Sequence, residues 1–449
     1  MRLTVIGTGY LGATHAACMA ELGHEVLGVD VDPDKIAALR SGRVPFYEPG
    51  LQELLARHTA SGRLRFTTSY EEAAAFARVH FSCVGTPQSQ GSDAADLTYV
   101  DAVIDALAPH LTEPSLVIGK STVPVGTADR LAARLAELAP SGADAELAWN
   151  PEFLREGFAV RDTLRPDRLV FGVRSPGAEA LLREVYAPVI VGGTPVITAD
   201  FPTAELVKTA ANAFLATKIS FINAMAEVCE ATGADVSVLA TAIGHDERIG
   251  ARFLRAGVGF GGGCLPKDIR AFAARAQELG TGHSLAFLRE VDAVNLRRRD
   301  RVTELVRELC GGTPAGVRIA VLGAAFKPDS DDIRDSPALD IAVRLHEDGA
   351  DVTVYDPQAM DNARKKHPLL GYALSATEAM ADADVVLHLT EWEEFRSLDP
   401  AALAAVVGHP RIVDGRGALD ADRWVAAGWD FHALGRPARV RTGASGCAG

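Results

Sequence analysis

Long apolar runs are missing from this sequence. No stretch reaches the roughly 18 apolar residues that a helical membrane span requires, so no membrane partner is expected. Basic blocks are missing too. With a formal net charge of −14 and a pI near 5.4, the chain has no cluster of cations to neutralise a nucleic-acid backbone, and we expect no nucleic-acid partner. A small phosphorylated ligand stays open, because it needs only a few placed cations. Cysteine is sparse: Cys18, Cys83, Cys229, Cys264, Cys310 and Cys447 show no CxxC spacing. That argues against a disulfide framework and against a zinc site, and it suits a reducing cytoplasm with no metal. The opening MRLTVIGTGYLG goes straight into a strand and a glycine turn, leaving no room for a secretory signal, so the expected location is again cytoplasmic.

What is present is globular. At 449 residues the chain is long enough for two or three domains, and its 48% hydrophobic and 23% charged residues can supply their cores and surfaces. Short apolar runs at 2–6, 25–31, 79–84, 116–119 and 146–148 alternate with Ala- and Leu-rich helical stretches, the pattern of a parallel sheet with both faces covered. The texture changes near Phe201. Residues 203–231 contain no Gly or Pro and read as one helix on the order of 40 Å long. A second helical block covers 268–309, with a break at Gly280 and Gly282. After the linker GGTPAG, strands at 318–322, 351–355, 384–389 and 411–413 form a second βαβ region. The expected fold class is α/β: two Rossmann-like parallel-sheet domains (1–198 and 311–436) joined by a central long-helix domain (199–310), with a disordered tail at 437–449. A long apolar helix between domains also suits a dimer seam.

Five constellations carry chemistry. GTGYLG places Gly7, Gly9 and Gly12 in the GxGxxG spacing between a strand and a helix, the context in which a helix N-terminus takes a pyrophosphate. Asp30 ends the second strand, where a carboxylate accepts from a ribose 2′-hydroxyl and repels a 2′-phosphate; Lys35 can hold the same ribose edge. The expected cofactor is therefore NAD rather than NADP. VGTP (with Thr86) and KSTVP (with Thr122) end two further strands. Either alone reads as an ordinary turn, but two hydroxyl-bearing turns at consecutive strand ends point toward cofactor and water contacts. NPEFLREG sets Glu152 and Glu156 four apart, which is one face if helical, or else a solvated helix start. Lys208 and Asn212 are four apart on the long helix, and Asn223, eleven further on, returns to the face of Asn212 within about 20°; this stripe either faces a polar ligand or faces water.

The fifth is Cys264 in GFGGGCLPKD. A lone cysteine is most often a small buried residue. Here the preceding glycines offer no core and permit close ligand approach, and Lys267 is placed to favour a thiolate. In the third region GAAFKP lacks the glycine spacing, so a second dinucleotide is not expected there; Lys327, Arg334 and Arg416 are cations suited to a diphosphate, or else surface charges near a turn.

Taken in order, GTGYLG, VDVDPDK, VGTP, KSTVPVG, NPEFLREG, AELVKTAANAFLA, HDERIGARFLRAGVGFGGGCLPKD, GAAFKPDSDDIRDS and TEWEEF closely resemble the nucleotide-sugar 6-dehydrogenases across about residues 1–435. The resemblance implies an NAD-binding first domain, a central domain that forms a homodimer or higher homo-oligomer, and a last domain that holds UDP. The segment RFLRAGVGFGGGCLPKD favours UDP-glucose as substrate, oxidised to UDP-glucuronate with two NAD and one water. It further implies Cys264 as nucleophile, Lys208 and Asn212 at the oxyanion and the C6 oxygen, Thr122 and Asp268 orienting the hydrolytic water, and Glu152 as general base. The implied cofactor residues are Gly7, Gly9, Gly12, Asp30, Lys35, Thr86, Thr122 and Glu156, with Lys267 or Arg334 near the nicotinamide or its phosphates. For the substrate they are Phe153, Leu154, Lys208, Asn212, Phe253, Leu254, Arg255, Phe260, Gly261, Lys327 and Arg416, with Arg248 reaching a partner's sugar. GDP-mannose and UDP-N-acetylmannosamine 6-dehydrogenases share this plan. The competing classes are a non-catalytic dinucleotide sensor, against which the intact set of catalytic residues speaks, and a two-electron hydroxyacid dehydrogenase, which has no use for Cys264.

Overall fold

Strand β1 (Arg2–Ile6) is buried from Leu3 onward, as a central strand covered on both faces must be. In the computed structural model, which describes residues 1–439, it is followed by helix α1 (Tyr10–Glu21) and by β2 (Glu25–Val29), β3 (Leu64–Thr67), β4 (Val79–Ser82), β5 (Ser115–Gly119), β6 (Ala145–Trp149), β7 (Leu169–Gly172) and β8 (Val196–Ala199). The sheet order is β3-β2-β1-β4-β5-β6-β7-β8, with the chain reversing direction across the sheet between β1 and β4.

Register places the motifs. Ile6 pairs with Val29 and with Ser82, Ser82 with Gly119, and Gly119 with Trp149. Five strands therefore end at one level, and the residues that follow (Gly7, Asp30, Cys83, Lys120 and Asn150) line one edge of the sheet. The expectation of a purely parallel sheet needs one correction: β6 and β7 pair antiparallel through Trp149 and Gly172. Strands β3, β7 and β8 are not among the runs read from the sequence, and β8 is a half-exposed edge.

The described residues divide into two compact units, the first Met1–Ala211 with Arg270–Gly282, the second Asn212–Ile269 with the residues from His283 on. The long helix, α2, runs Phe201–Thr232; the second helical block resolves into α3 (Leu265–Glu278) and α4 (Phe287–Leu309), broken at the glycines as expected. The second unit contains an all-parallel sheet of β9 (Arg318–Leu322), β10 (Asp351–Tyr355), β11 (Gly371–Tyr372), β12 (Val385–His388), β13 (Arg411–Asp414) and β14 (Asp430–Ala433), in the order β11-β10-β9-β12-β13-β14. Of the expected tail, Arg439 instead pairs with Phe431 through two backbone hydrogen bonds of 2.9 and 3.0 Å. Residues 440–449, the rest of that expectation, lie outside the described residues. Among the described residues no helix is long and apolar enough to cross a membrane.

Candidate active site

The glycine turn of the first unit has the shape of a pyrophosphate cradle. Gly7 adopts φ +86°, closed to most side chains, and a Cβ on Gly9 would meet nothing within 4 Å. That open space sits at the N-terminus of the twelve-residue helix α1, where aligned N–H groups favour an anion. Beside it, Asp30 Oδ2 accepts from the Thr8 amide at 2.8 Å, the Thr8 hydroxyl at 3.0 Å and Lys35 Nζ at 2.9 Å, while Oδ1 accepts one bond from the Asp32 amide at 3.1 Å. Burial works to raise the Asp30 pKa, but Lys35 and the amides outweigh it and hold the carboxyl below its ordinary value. Asp30 is therefore ionised, with acceptor capacity left on Oδ1 for a ribose hydroxyl. The cradle fits NAD and disfavours a 2′-phosphate.

The two hydroxyl-bearing turns are laced to each other. Thr86 donates to the Thr122 carbonyl at 2.8 Å, and Ser121 donates to the Val84 carbonyl at 2.7 Å. The buried Thr86 hydroxyl thus holds the turn, and Thr122, half-buried, is fixed at its edge. The NPEFLREG segment is not helical, so Glu152 and Glu156 do not share a helical face. Glu48 holds it instead: its carboxylate accepts from the Tyr10 hydroxyl and from the Gly157 and Ala159 amides, both at 2.7 Å. Burial raises the Glu48 pKa despite the bonds it accepts from Tyr10 and the amides, and burial together with the bond to the Glu48 carboxylate raises that of Tyr10. Glu156 is buried and Glu152 half-buried. Phe153 is covered by the Arg168 guanidinium at 3.9 Å from its ring centroid, with Lys208 Nζ at 5.6 Å. Leu154 gives its amide to Glu152 Oε1.

In the second unit, the Cys264 carbonyl accepts the first helical bond of α3 from the Asp268 amide at 3.0 Å, so the exposed thiol stands at a helix N-terminus. One turn in, Asp268 is 2% exposed and engaged at both oxygens, by Asn212 Nδ2 at 2.7 Å and by Lys267 Nζ at 2.5 Å. This fixes the Asn212 amide, whose Nδ2 keeps a second proton for another acceptor. Lys208, also buried, lies one turn before Asn212 on α2. Lys267 is thus committed to Asp268 by an ion pair.

The glycines before Cys264 need a different explanation from the one the sequence suggests. A Cβ on Gly259, Gly261, Gly262 or Gly263 would strike Asn295 Oδ1, the Asp335 carbonyl, the Phe326 ring or the Arg334 guanidinium at 2.1–2.8 Å. They make room for protein rather than for ligand. Asn295, fully buried, grips the loop at both ends of its amide: Phe260 N donates to Oδ1 at 2.7 Å and Nδ2 donates to the Phe260 carbonyl at 3.0 Å. Arg416 is a clamp as well. Its guanidinium donates to the carbonyls of Leu389 (2.6 Å), Gly259 (2.9 Å) and Phe326 (2.9 Å), so it is committed to three backbone segments, not directed at a diphosphate. Asn223 accepts from the Gly257 amide at 2.9 Å and so faces this loop, neither ligand nor water.

The remaining residues sort by exposure. Leu254 is 5% exposed and packs with Ile222, Ala226, Cys229 and Val236, so its side chain belongs to the core and not to a ligand surface. Phe260 is buried, whereas Phe253, at φ +65°, and Arg255 are exposed. Arg248 is exposed and ion-paired with Asp246 at 2.6 Å. Lys327 is half-buried with its Nζ 5.6 Å from the Phe326 ring, and Arg334 pairs with Asp332 at 2.6 Å. At the end of β10, Asp356 occupies the place that Asp30 holds in the first sheet. It is fully buried and accepts from the amides of Ala324, Ala325, Gln358 and Ala359 and from the Trp392 indole at 2.8–3.0 Å. Glu48, Asn295, Lys120 and Asp356 were all missed by reading the sequence. Tyr10 inside GTGYLG was the one local hint, since a phenol beside a buried helix start requires a polar partner.

Comparison with known proteins gives a consistent result. Residues 1–190, 202–297 and 320–421 match the NAD binding, central and UDP binding domains of the UDP-glucose/GDP-mannose dehydrogenase family. The UDP-glucose 6-dehydrogenase of Rhizobium meliloti is 44% identical over 97% of this chain and its own full length. A UDP-glucose dehydrogenase structure from Pyrobaculum islandicum superposes with a TM-score of 0.89 at 38% identity, covering 97% of this chain and 98% of that one. A UDP-D-ManNAc dehydrogenase structure from Pyrococcus horikoshii gives 0.84 at 28% identity, covering 97% and 99%.

Proposed function

Because the chain belongs to the UDP-glucose/GDP-mannose dehydrogenase family, we propose that it oxidises UDP-glucose to UDP-glucuronate in two successive steps, with Cys264 as nucleophile. NAD supplies the hydride acceptor for both oxidations. The first leaves an aldehyde at C6. The Cys264 thiolate, favoured by its position at the start of α3, adds to the aldehyde carbon, and the new oxyanion meets Lys208 and the free N–H of Asn212. Loss of a second hydride from this thiohemiacetal gives a thioester. Water, oriented by Thr122 and Asp268, adds to its carbonyl carbon; Glu152 takes the water's proton, and the C–S bond breaks with its electrons returning to sulfur. The observation that carries this reading is the Cys264–Asp268–Asn212 arrangement, with the thiol exposed at a helix start and the amide locked by a buried carboxylate.

Cofactor contacts are assigned to Gly7, Gly9, Gly12, Asp30, Lys35, Thr86, Thr122 and Glu156. Phe153, Phe253, Arg255, Phe260 and Lys327 are assigned to the nucleotide sugar, with Gly261 and Arg416 shaping that site through the loop they hold in place. The five donors consumed by Asp356 support a last domain, 311–436, that takes UDP rather than a second dinucleotide. The central domain, 199–310, is the dimerisation domain. Phe214, Phe221 and Val228 recur every seventh residue along α2 and are 66, 50 and 53% exposed, an apolar stripe that a second copy would cover, and the exposed Arg248 would exchange its pairing with Asp246 to reach a partner's sugar. The setting is the cytoplasm.

The substrate assignment is tested by comparing kcat/KM for UDP-glucose, GDP-mannose and UDP-N-acetylmannosamine. We expect UDP-glucose to exceed both by at least about 100-fold, since a site that hydrogen-bonds one set of hydroxyls leaves polar groups unpaired with another. A higher value for either competitor would overturn the assignment.

A further inference from the structure

Lys120 is the most deeply placed cation of the first unit, 4% exposed, at the point where β5 ends in the KSTVP turn. Its ammonium lies 2.9 Å from Asn150 Oδ1 and 3.4 Å from both the Asn150 carbonyl and the Tyr186 hydroxyl; that hydroxyl in turn donates to Asn150 Oδ1 at 2.7 Å. Asn150 Nδ2 closes the network on the Val170 carbonyl at 2.9 Å. These partners are neutral. The carboxylate in reach is Glu152, with Oε2 at 3.7 Å.

The other titratable groups around this pair come from three elements. Burial lowers His15 on α1 well below its ordinary range, raises Cys18 on α1, and pushes Cys83 after β4 and Tyr186 after the following helices up to about 12 each. All four are neutral at physiological pH. Lys120 itself is lowered by burial, but Tyr186 and Glu152 outweigh this and raise it, so it stays charged. One buried cation thus faces one half-buried carboxylate across a neutral, hydrogen-bonded frame. A buried ammonium is tolerated only when paired, and the pairing fixes where the carboxylate points.

We propose that Lys120 is a positioning residue for the hydrolytic step: held by Asn150 and Tyr186, it orients Glu152 and balances its negative charge, so that the carboxylate is available to take the proton of the attacking water. This rests on the assignment of Glu152 as general base. It gives a role to the lysine of KSTVP, a motif otherwise represented in the reaction by Thr122 alone.

The test is the pH dependence of kcat for four proteins. Glu152→Gln should abolish the acid limb of the wild-type profile; an acid limb that survives in that variant would refute the base assignment itself. Lys120→Met, which removes the charge at similar volume, should move the midpoint of the acid limb up by about one pH unit, because a carboxylate without its cation holds its proton to higher pH. Lys120→Arg, which keeps the charge, should leave the midpoint within about 0.3 unit of wild type. If Glu152→Gln abolishes the limb but Lys120→Met only lowers kcat equally at every pH, Lys120 is structural and the proposal is overturned. If Lys120→Met does not yield folded protein, adding Glu152→Gln removes the stranded carboxylate; recovery of soluble protein in the double variant supports the pair, and no recovery contradicts it.

Discussion

Replacing Cys264 by serine should lower steady-state NADH formation from UDP-glucose by at least about a thousandfold while leaving the protein folded and able to bind NAD. The fold survives because the thiol is exposed at the head of α3 and fills no core. Turnover fails for a chemical reason. The aldehyde formed by the first oxidation must become a tetrahedral adduct before a second hydride can leave. A serine hydroxyl, with a far higher pKa than a thiol, is a poor nucleophile, and the ester it would form is slow to cleave. The first oxidation remains possible, so up to about one NADH per active site should appear before the reaction stalls. Rapid-mixing absorbance of NADH reads both the first turnover and the steady state. An unimpaired steady state in Cys264→Ser would remove the covalent mechanism.

Gly12→Ala and Gly9→Ala should fail in different ways, although both lie in the same motif. A Cβ on Gly12 would sit 1.8 Å from the Gly7 carbonyl oxygen and 2.9 Å from its carbon. The obstacle is backbone, which cannot swing aside, so α1 must shift off β1. We expect a loss of at least about 1–3 kcal/mol in stability, visible as a lower unfolding midpoint, together with loss of NAD binding. A Cβ on Gly9 meets nothing within 4 Å, so Gly9→Ala should unfold like wild type. It should still weaken NAD binding by about tenfold or more, because the empty space at the helix N-terminus is where the pyrophosphate approaches. Denaturant titration and NAD titration on each variant separate the two effects. Wild-type NAD affinity in Gly9→Ala would mean that the turn is structural only.

The local motifs were legible because their meaning is local. GTGYLG, Asp30 and the helix start at Cys264 depend on neighbours within a few residues or one strand pairing, and periodicity alone found the central strands. What escaped depends on distant partners. Lys120 meets Asn150 and Tyr186, 30 and 66 positions away, and Glu48 meets Gly157 across 109 positions. Nothing in the sequence near Lys120 or Glu48 announces those meetings. The Cys264 loop shows the opposite failure. Its glycines suggested room for ligand, whereas Asn295, Phe326, Arg334 and the Asp335 backbone occupy that room. Arg416 misled for a related reason: a cation after a strand suits a phosphate, but the three carbonyls converging on it are contributed by three separate segments.

The central claim is that one active site carries UDP-glucose through two oxidations by way of Cys264. The number of NADH formed per UDP-glucose consumed tests it most directly, measured by absorbance against nucleotide-sugar chromatography at completion. Two NADH per UDP-glucose, with UDP-glucuronate as product, is the predicted result. A ratio of one, with the aldehyde accumulating, would contradict the account.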